Sequence, residues 1–226
     1  MTIFRKFIFI FLLSTFGIFS SAAAQSGRES SDKKTTFQVS FVPGISTSDS
    51  YSSSRFSFNI IGGYNGAFHG LELGSVFNGN RYNINGLQMA GIANVNQQQA
   101  RGLLLAGVLN MSKTFSGTAL SGAVNITKDH TGGVMIAGGM NVIQKTRGVS
   151  IAPLNITQSQ KGFQLGVVNI SGKQEGTQLG IINIVSENNR GNPIGLLSFV
   201  KNGRANVDVW GTETGFFNGG MRFGTN

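Results

Sequence analysis

The chain has no cysteine among its 226 residues. That excludes a disulfide framework, a thiolate metal site and a cysteine nucleophile. Carboxylates are nearly as scarce, nine against eighteen lysines and arginines. Glu72, Asp129, Glu175 and Glu187 are the only acids in the repeated part of the chain, with no close pair for acid–base chemistry. The two histidines, His69 and His130, stand alone in turn-like contexts some four repeats apart. Each reads as a solvated side chain and not as a metal ligand, because no second ligand is suitably spaced. No G-x-S-x-G elbow, phosphate-binding loop or H-E-x-x-H occurs, and the glycine-rich stretch Gly62 to Gly66 opens no helix. Together these absences argue against an enzyme and call for no cofactor and no metal.

What is present begins with an address. Arg5 and Lys6 precede a short apolar run, residues 7–19, and Ala22-Ala23-Ala24 supplies small residues for cleavage before Gln25. The run is too short for a membrane anchor, which needs about twenty apolar residues, so residues 1–24 are expected to be a cleaved signal peptide. With no cysteine to follow it, lipoprotein anchoring is excluded. The expected location is the outer membrane, the cell surface or the periplasm. Removal takes the formal charge from +9 to +7, since the segment holds two basic residues and no acid.

Beyond a polar lead-in at 25–36, one phrase recurs eight times. It is a glycine, a mostly apolar stretch centred on a second glycine in most copies, and then an asparagine. The copies span 70–78, 86–94, 102–110, 117–125, 133–141, 148–155, 162–169 and 176–183, and a ninth, 191–198, ends in Ser198. The opening glycines step by 16, 16, 15, 16, 15, 14, 14 and 15 residues. Such a period means a stack or ring of equivalent units. The asparagines are Asn78, Asn94, Asn110, Asn125, Asn141, Asn155, Asn169 and Asn183. The inner glycines are Gly91, Gly107, Gly122, Gly138, Gly166 and Gly180.

No helical period appears outside the signal, so the chain reads as all-β. The runs 37–43 and 55–64 read as a hairpin capping the N-terminus over 37–69. The repeat domain covers 70–200, and the last residues, 201–226, supply two more strands. In the shorter copies one residue is missing just before the inner glycine. The apolar positions one and three after the opening glycine survive this, as do those flanking the asparagine. A deletion inside one continuous strand would flip one half to the other side, so the inner glycine is expected at a corner between two short strands.

Two architectures satisfy this. The favoured one is a β-solenoid of 14–16-residue coils with terminal hairpins. Its apolar pairs are expected to fill the inside, its asparagines to stack into a ladder, and a polar turn to close each coil. The alternative is an antiparallel outer-membrane β-barrel with about ten residues per strand. Membrane barrels alternate short turns with long loops, and the turns here are uniform.

With RFSFNIIGGYNG before it and GNPIGLLSFVKNG after it, the repeat resembles exported surface-repeat proteins of Gram-negative, Bacteroidetes-type bacteria. The resemblance covers about residues 37–226. It implies an envelope location and supplies no catalytic residue. Chains of that kind run on past GMRFGTN into another aromatic strand, so it also implies a piece lacking its closing strand.

Function is expected to be structural or interactive. Between residues 86 and 200 there are eight basic residues against three acids: Arg101, Lys113, Lys128, Lys145, Arg147, Lys161, Lys173 and Arg190. All sit in turns, where stacking would line them up. Such a stripe could meet envelope polyanions, either lipopolysaccharide phosphate or acidic glycans. The plainer reading, that they keep strands soluble and unpaired, is preferred. Other envelope proteins and the outer membrane are further partners, and nucleic acid is excluded because the aromatics lie away from the basic turns. A carbohydrate-acting enzyme on a β-helix would need a carboxylate cluster that the sequence lacks.

Overall fold

The computed structural model describes residues 34–42, 45–47, 53–201, 204–211 and 217–224, the last two segments by backbone alone. The expected signal peptide and residues 25–33 of the lead-in lie outside the described residues, whereas residues 34–36 belong to the first strand.

The chain opens with β1 (Lys34–Val42) and the short β2 (Ile45–Ser46). Two-strand coils follow: β3 (Ser53–Asn59) with β4 (Gly62–Asn65), β5 (Ala67–Gly74) with β6 (Phe77–Asn80), and β7 (Ile84–Ala90) with β8 (Ala93–Asn96). Next are β9 (Gln99–Ala106) with β10 (Leu109–Ser112), and β11 (Thr114–Ser121) with β12 (Val124–Thr131). Then come β13 (Val134–Ala137) with β14 (Met140–Thr146), and β15 (Val149–Ile151) with β16 (Leu154–Gln160). In β17 (Phe163–Gln174), β18 (Thr177–Asn188) and β19 (Asn192–Val200) the strand runs on through the inner corner. A terminal hairpin, β20 (Arg204–Gly211) with β21 (Phe217–Gly224), ends the described chain.

Each strand bonds in parallel to its equivalent one coil on. The asparagines fall in one register, Asn78↔Asn94↔Asn110↔Asn125↔Asn141↔Asn155↔Asn169↔Asn183, and Ser198 continues it. This is a β-solenoid. The barrel alternative is overturned, because a barrel of consecutive strands pairs neighbours antiparallel. Among the described residues only β1–β2 and β20–β21 do so. The corner expectation holds as well. Ile136↔Ile151 and Met140↔Leu154 are both in register, so the residue missing from the shorter copy is shed between them.

Three expectations are corrected. The polar turn is itself a sheet: Phe68, Ile84, Ala100, Phe115 and Thr131 pair in succession, and Thr131 leads on to Thr146, Gln160 and Gln174. Each coil therefore has three sides. Side A follows the opening glycine, side B carries the asparagine, and side C precedes the next glycine. The corner between C and A falls at the opening glycine. Gly70, Gly86, Gly102 and Gly117 have φ between 112° and 145° there, where a Cβ is strained.

The N-terminal runs do not form a hairpin either. β1 and β3 are parallel, with Phe37 opposite Phe56, and β3 pairs onward to β5 with Phe56 opposite Leu71. These runs are earlier coils of the same stack, whose repeat phrase has decayed.

The third correction concerns what fills the inside. The residue two after the opening glycine points inward: Glu72, Gln88, Leu104, Ala119, Met135, Ser150, Gln164 and Gln178 are all buried. The asparagines are buried too. The apolar pairs expected inside face outward, with Met89, Leu120, Ile136, Leu165 and Leu179 exposed. Neighbours on a strand point to opposite sides. A buried asparagine thus puts its apolar flanks outside. The interior is mostly amide and hydroxyl, with one apolar plug, Phe68, Ile84, Ala100, Leu104, Phe115, Ala119, Met135 and Ile143, packed within the stack.

Candidate functional site

The ladder explains why amides are tolerated inside. A buried amide is costly unless its two donors and its acceptor are met. Asn94 Nδ2 donates to Asn110 Oδ1 at 2.9 Å and to the backbone oxygen of Leu105 at 2.7 Å. Asn110 does the same with Asn125 Oδ1 at 3.1 Å and Leu120 O at 2.8 Å. The pattern continues to Asn183, which donates to Ile194 O at 2.9 Å and Ser198 Oγ at 3.4 Å. Each side chain therefore links successive coils and satisfies a carbonyl just before the inner corner. In the coil before Asn78 the ladder position is Gly63, and its place is taken by Asn59 from side A, whose Nδ2 donates to Asn78 Oδ1 at 2.7 Å.

The inner glycines sit where no side chain fits. A Cβ on Gly91, Gly107, Gly122 or Gly138 would lie far inside contact distance of the carbonyl oxygen at the same corner of the preceding coil. Gly166 and Gly180 are blocked similarly, by Ala152 O and Gly166 O and by the ladder amides. These positions and the asparagines are brought together by the fold, but in a structural role.

One interior group stands out chemically. Glu72 is wholly buried, and its carboxylate receives Asn65 Nδ2 at 2.6 Å and Asn59 Nδ2 at 3.0 Å on Oε1. Asn80 Nδ2 and Gln88 Nε2 donate to Oε2, both at 2.8 Å. Burial raises its pKa to about 7, against four amide donors that favour the charged form. No substrate can reach it. The sequence holds a hint of this cage in the amides Asn65, Asn80 and Asn96, but nothing that ties them to Glu72 before the coils are stacked.

The basic residues form two rows. Arg101, Arg147, Lys161 and Arg190 each precede an opening glycine, on the edge between sides C and A. Lys113, Lys128, Lys145 and Lys173 follow the ladder strand, on the edge between B and C. Three are paired across coils: Lys161 with Glu175 at 2.7 Å, Lys173 with Glu187 at 3.3 Å and Lys145 with Asp129 at 3.9 Å. Partial exposure limits each pair to about 1 kcal/mol or less. Burial lowers the Lys128 pKa. His69 is exposed and His130 half-exposed, and no three metal-ligating side chains come together among the described residues.

The outer surfaces of sides A and B differ sharply from side C. From residue 71 to 199 they carry no charge, because Glu72, the only ionisable residue on these two sides, points inward. Ile92, Val108, Val167, Ile181 and Leu196 are 45–65 % exposed along the corner between the two sides. Met89, Leu120, Ile136, Leu165 and Leu179 line side A, and Ile184, Leu197 and Phe199 line side B. Of the side B residues flanking the asparagines, Ile126 is buried. A groove of about 920 Å³ runs beside the corner, walled by Phe58, Leu73, Met89, Leu105, Leu120 and Ile136 and floored by Gly74, Gly91, Gly107 and Gly122. Over nine coils at about 4.8 Å per step, the uncharged surface is roughly 40 Å long. Soluble monomers rarely expose apolar patches beyond a few hundred Å².

Comparisons with models of protein families, with curated proteins and with solved structures found no match.

Proposed function

We propose that the protein is a non-enzymatic component of the bacterial cell envelope, exported by its signal peptide and acting through its outer surface as an interaction scaffold. The observation that carries this reading is the row of exposed apolar residues on sides A and B, unbroken by charge along nine coils, since a long exposed apolar patch marks an interaction site. A surface of that kind is covered in use. The acids support the non-enzymatic part: Glu72 is sealed inside, while Asp129, Glu175 and Glu187 are each engaged by a lysine of a neighbouring coil. The signal peptide and the resemblance to exported repeat proteins support the location.

The test is fractionation of a Gram-negative host expressing the full chain, with N-terminal sequencing of the product. Recovery in the envelope fraction or the medium, starting at Gln25, is the expected result. An unprocessed chain in the cytosol overturns it.

A further inference from the structure

Resting on the envelope reading, we propose that sides A and B form a wedge that lies in the interfacial region of an anionic lipid bilayer. The rod axis runs in the membrane plane and side C faces water.

Three observations converge on lipid. The first is that the wedge has no charge, while cations stand on both of its borders. Arg101, Arg147 and Arg190 mark the edge with side A and Lys113 the edge with side B, while Lys161, Lys145 and Lys173 on the same edges are paired with Glu175, Asp129 and Glu187. This is the pattern of an interfacial amphipathic element, with an apolar face in the acyl boundary and basic residues at the headgroups. Each cation near an anionic membrane surface contributes about fivefold in affinity.

The second observation concerns the backbone. Lipid leaves no open donor or acceptor unpunished. Around the circumference of this rod the ladder bonds run along the axis, coil to coil, so that sides A and B present no sheet edge. Among the described residues, sheet edges occur only at the ends of the stack.

The third is shape. The exposed residues lie on two sides that meet at a corner, with Ile181 and Val167 on the corner itself. A second copy of the rod would cover one flat side and leave the other wet, whereas fluid acyl chains cover both.

The experiment places one tryptophan as a depth gauge in the full chain, purified from the host, with native Trp210 replaced by phenylalanine. Ile181→Trp reports the corner and Asn83→Trp reports side C, one residue before inward-facing Ile84, where the native residue is exposed. Val167→Trp serves as a second corner reporter if the first perturbs folding, as judged by circular dichroism. Vesicles of phosphatidylethanolamine and phosphatidylglycerol, with or without bromine on the acyl chains, are titrated in. The corner tryptophans should shift to the blue and be quenched by acyl bromine, while Asn83→Trp should not. Arg101→Gln with Arg147→Gln should weaken binding by about 25-fold, and phosphatidylcholine vesicles should bind far less.

Equal quenching at both positions, or none at the corner, overturns the wedge. So does a blue shift that needs no lipid and tracks sedimentation of a dimer, which assigns the surface to a second copy. These results leave the envelope location standing. Conversely, a chain that stays cytosolic yet shows corner quenching retains the wedge and loses the envelope reading.

Discussion

Every ladder asparagine has two amide protons, and the fold uses both, one for the next asparagine (for Asn183, Ser198) and one for a corner carbonyl. Removing a mid-stack member therefore leaves an acceptor on one neighbour, a donor on the other and a bare carbonyl. Asn141 also reaches Met135 O at 3.2 Å, besides Ile151 O at 3.1 Å and Asn155 at 3.0 Å. Asn141→Leu should cost about 1–3 kcal/mol in denaturant unfolding. Asn183→Leu should cost less, because its forward partner is a serine at 3.4 Å. Equal and negligible losses would mean that the amides are solvated. Glu72 gives a second residue-level test through pH. Its carboxyl holds a proton more tightly in the fold, about pH 7, than in the unfolded chain, about 4.5. That contribution is fully present below about pH 4.5 and is lost as pH rises through about 7. Melting temperature should therefore fall between pH 5 and 8, by the equivalent of about 3 kcal/mol at most. Glu72→Gln, which places at this position the residue found in register at Gln88, should flatten that profile. An unchanged slope in the variant would show that Glu72 is not its source. The asparagine phase was plain in the sequence. The cage was not, because it joins residues from three successive coils, and no spacing rule links a lone glutamate to amides 7, 8, 13 and 16 residues away.

At the scale of the coil, two corners set the path, and both depend on backbone passing close to backbone. Gly166→Val or Gly180→Val would drive a side chain into the preceding coil's carbonyl and into the ladder amides. A loss of about 3 kcal/mol or more is expected for each, measured by thermal unfolding. Gly102→Ala adds a φ of 112° to the same kind of clash and should be at least as harmful. Arg190, also at positive φ (85°), has no such neighbour problem, since its left-handed turn is held by Asn188 bonding to Gly191 at 2.6 Å. Arg190→Gly should stabilise by about 0.5–1 kcal/mol, the roughly 1–2 kcal/mol cost of a Cβ in that region less the larger entropy that glycine loses on folding. A destabilised variant would mean that the arginine side chain matters more than its backbone. The inner corner was legible because a deletion left both half-patterns intact. The C–A corner was hidden by its own regularity. An opening glycine that never shifts phase reads as a mere marker, and only its φ shows it to be a bend. The third side was missed because its inward residues change along the rod, from Phe68 and Ile84 to Gln160 and Gln174, and no single residue class repeats.

For the whole molecule, alternation fixes which residues share a side of the sheet and is silent on which side is the interior. Hydrophobicity ordinarily decides that, and here it decides wrongly. The apolar set is the one turned out, because only the amides can bond along the axis with the spacing of the coils. Leu104 and Leu105 separate the two assignments with one change each. Leu104 is 1 % exposed within the apolar plug, whereas Leu105 is a half-buried wall of the outer groove. An arginine at 104 must be buried beside Ala119 and Met135 with no partner, so Leu104→Arg should prevent folding in water and in detergent alike. An arginine at 105 keeps its charge in solvent, so Leu105→Arg should fold with a loss of about 0.5 kcal/mol or less. If the wedge carries the membrane contact, the same Leu105→Arg protein should bind anionic vesicles less tightly while its circular dichroism and unfolding midpoint stay those of the parent. The opposite ranking, a folded Leu104→Arg and an unfolded Leu105→Arg, would put the leucines of side A back inside and return the amides to solvent.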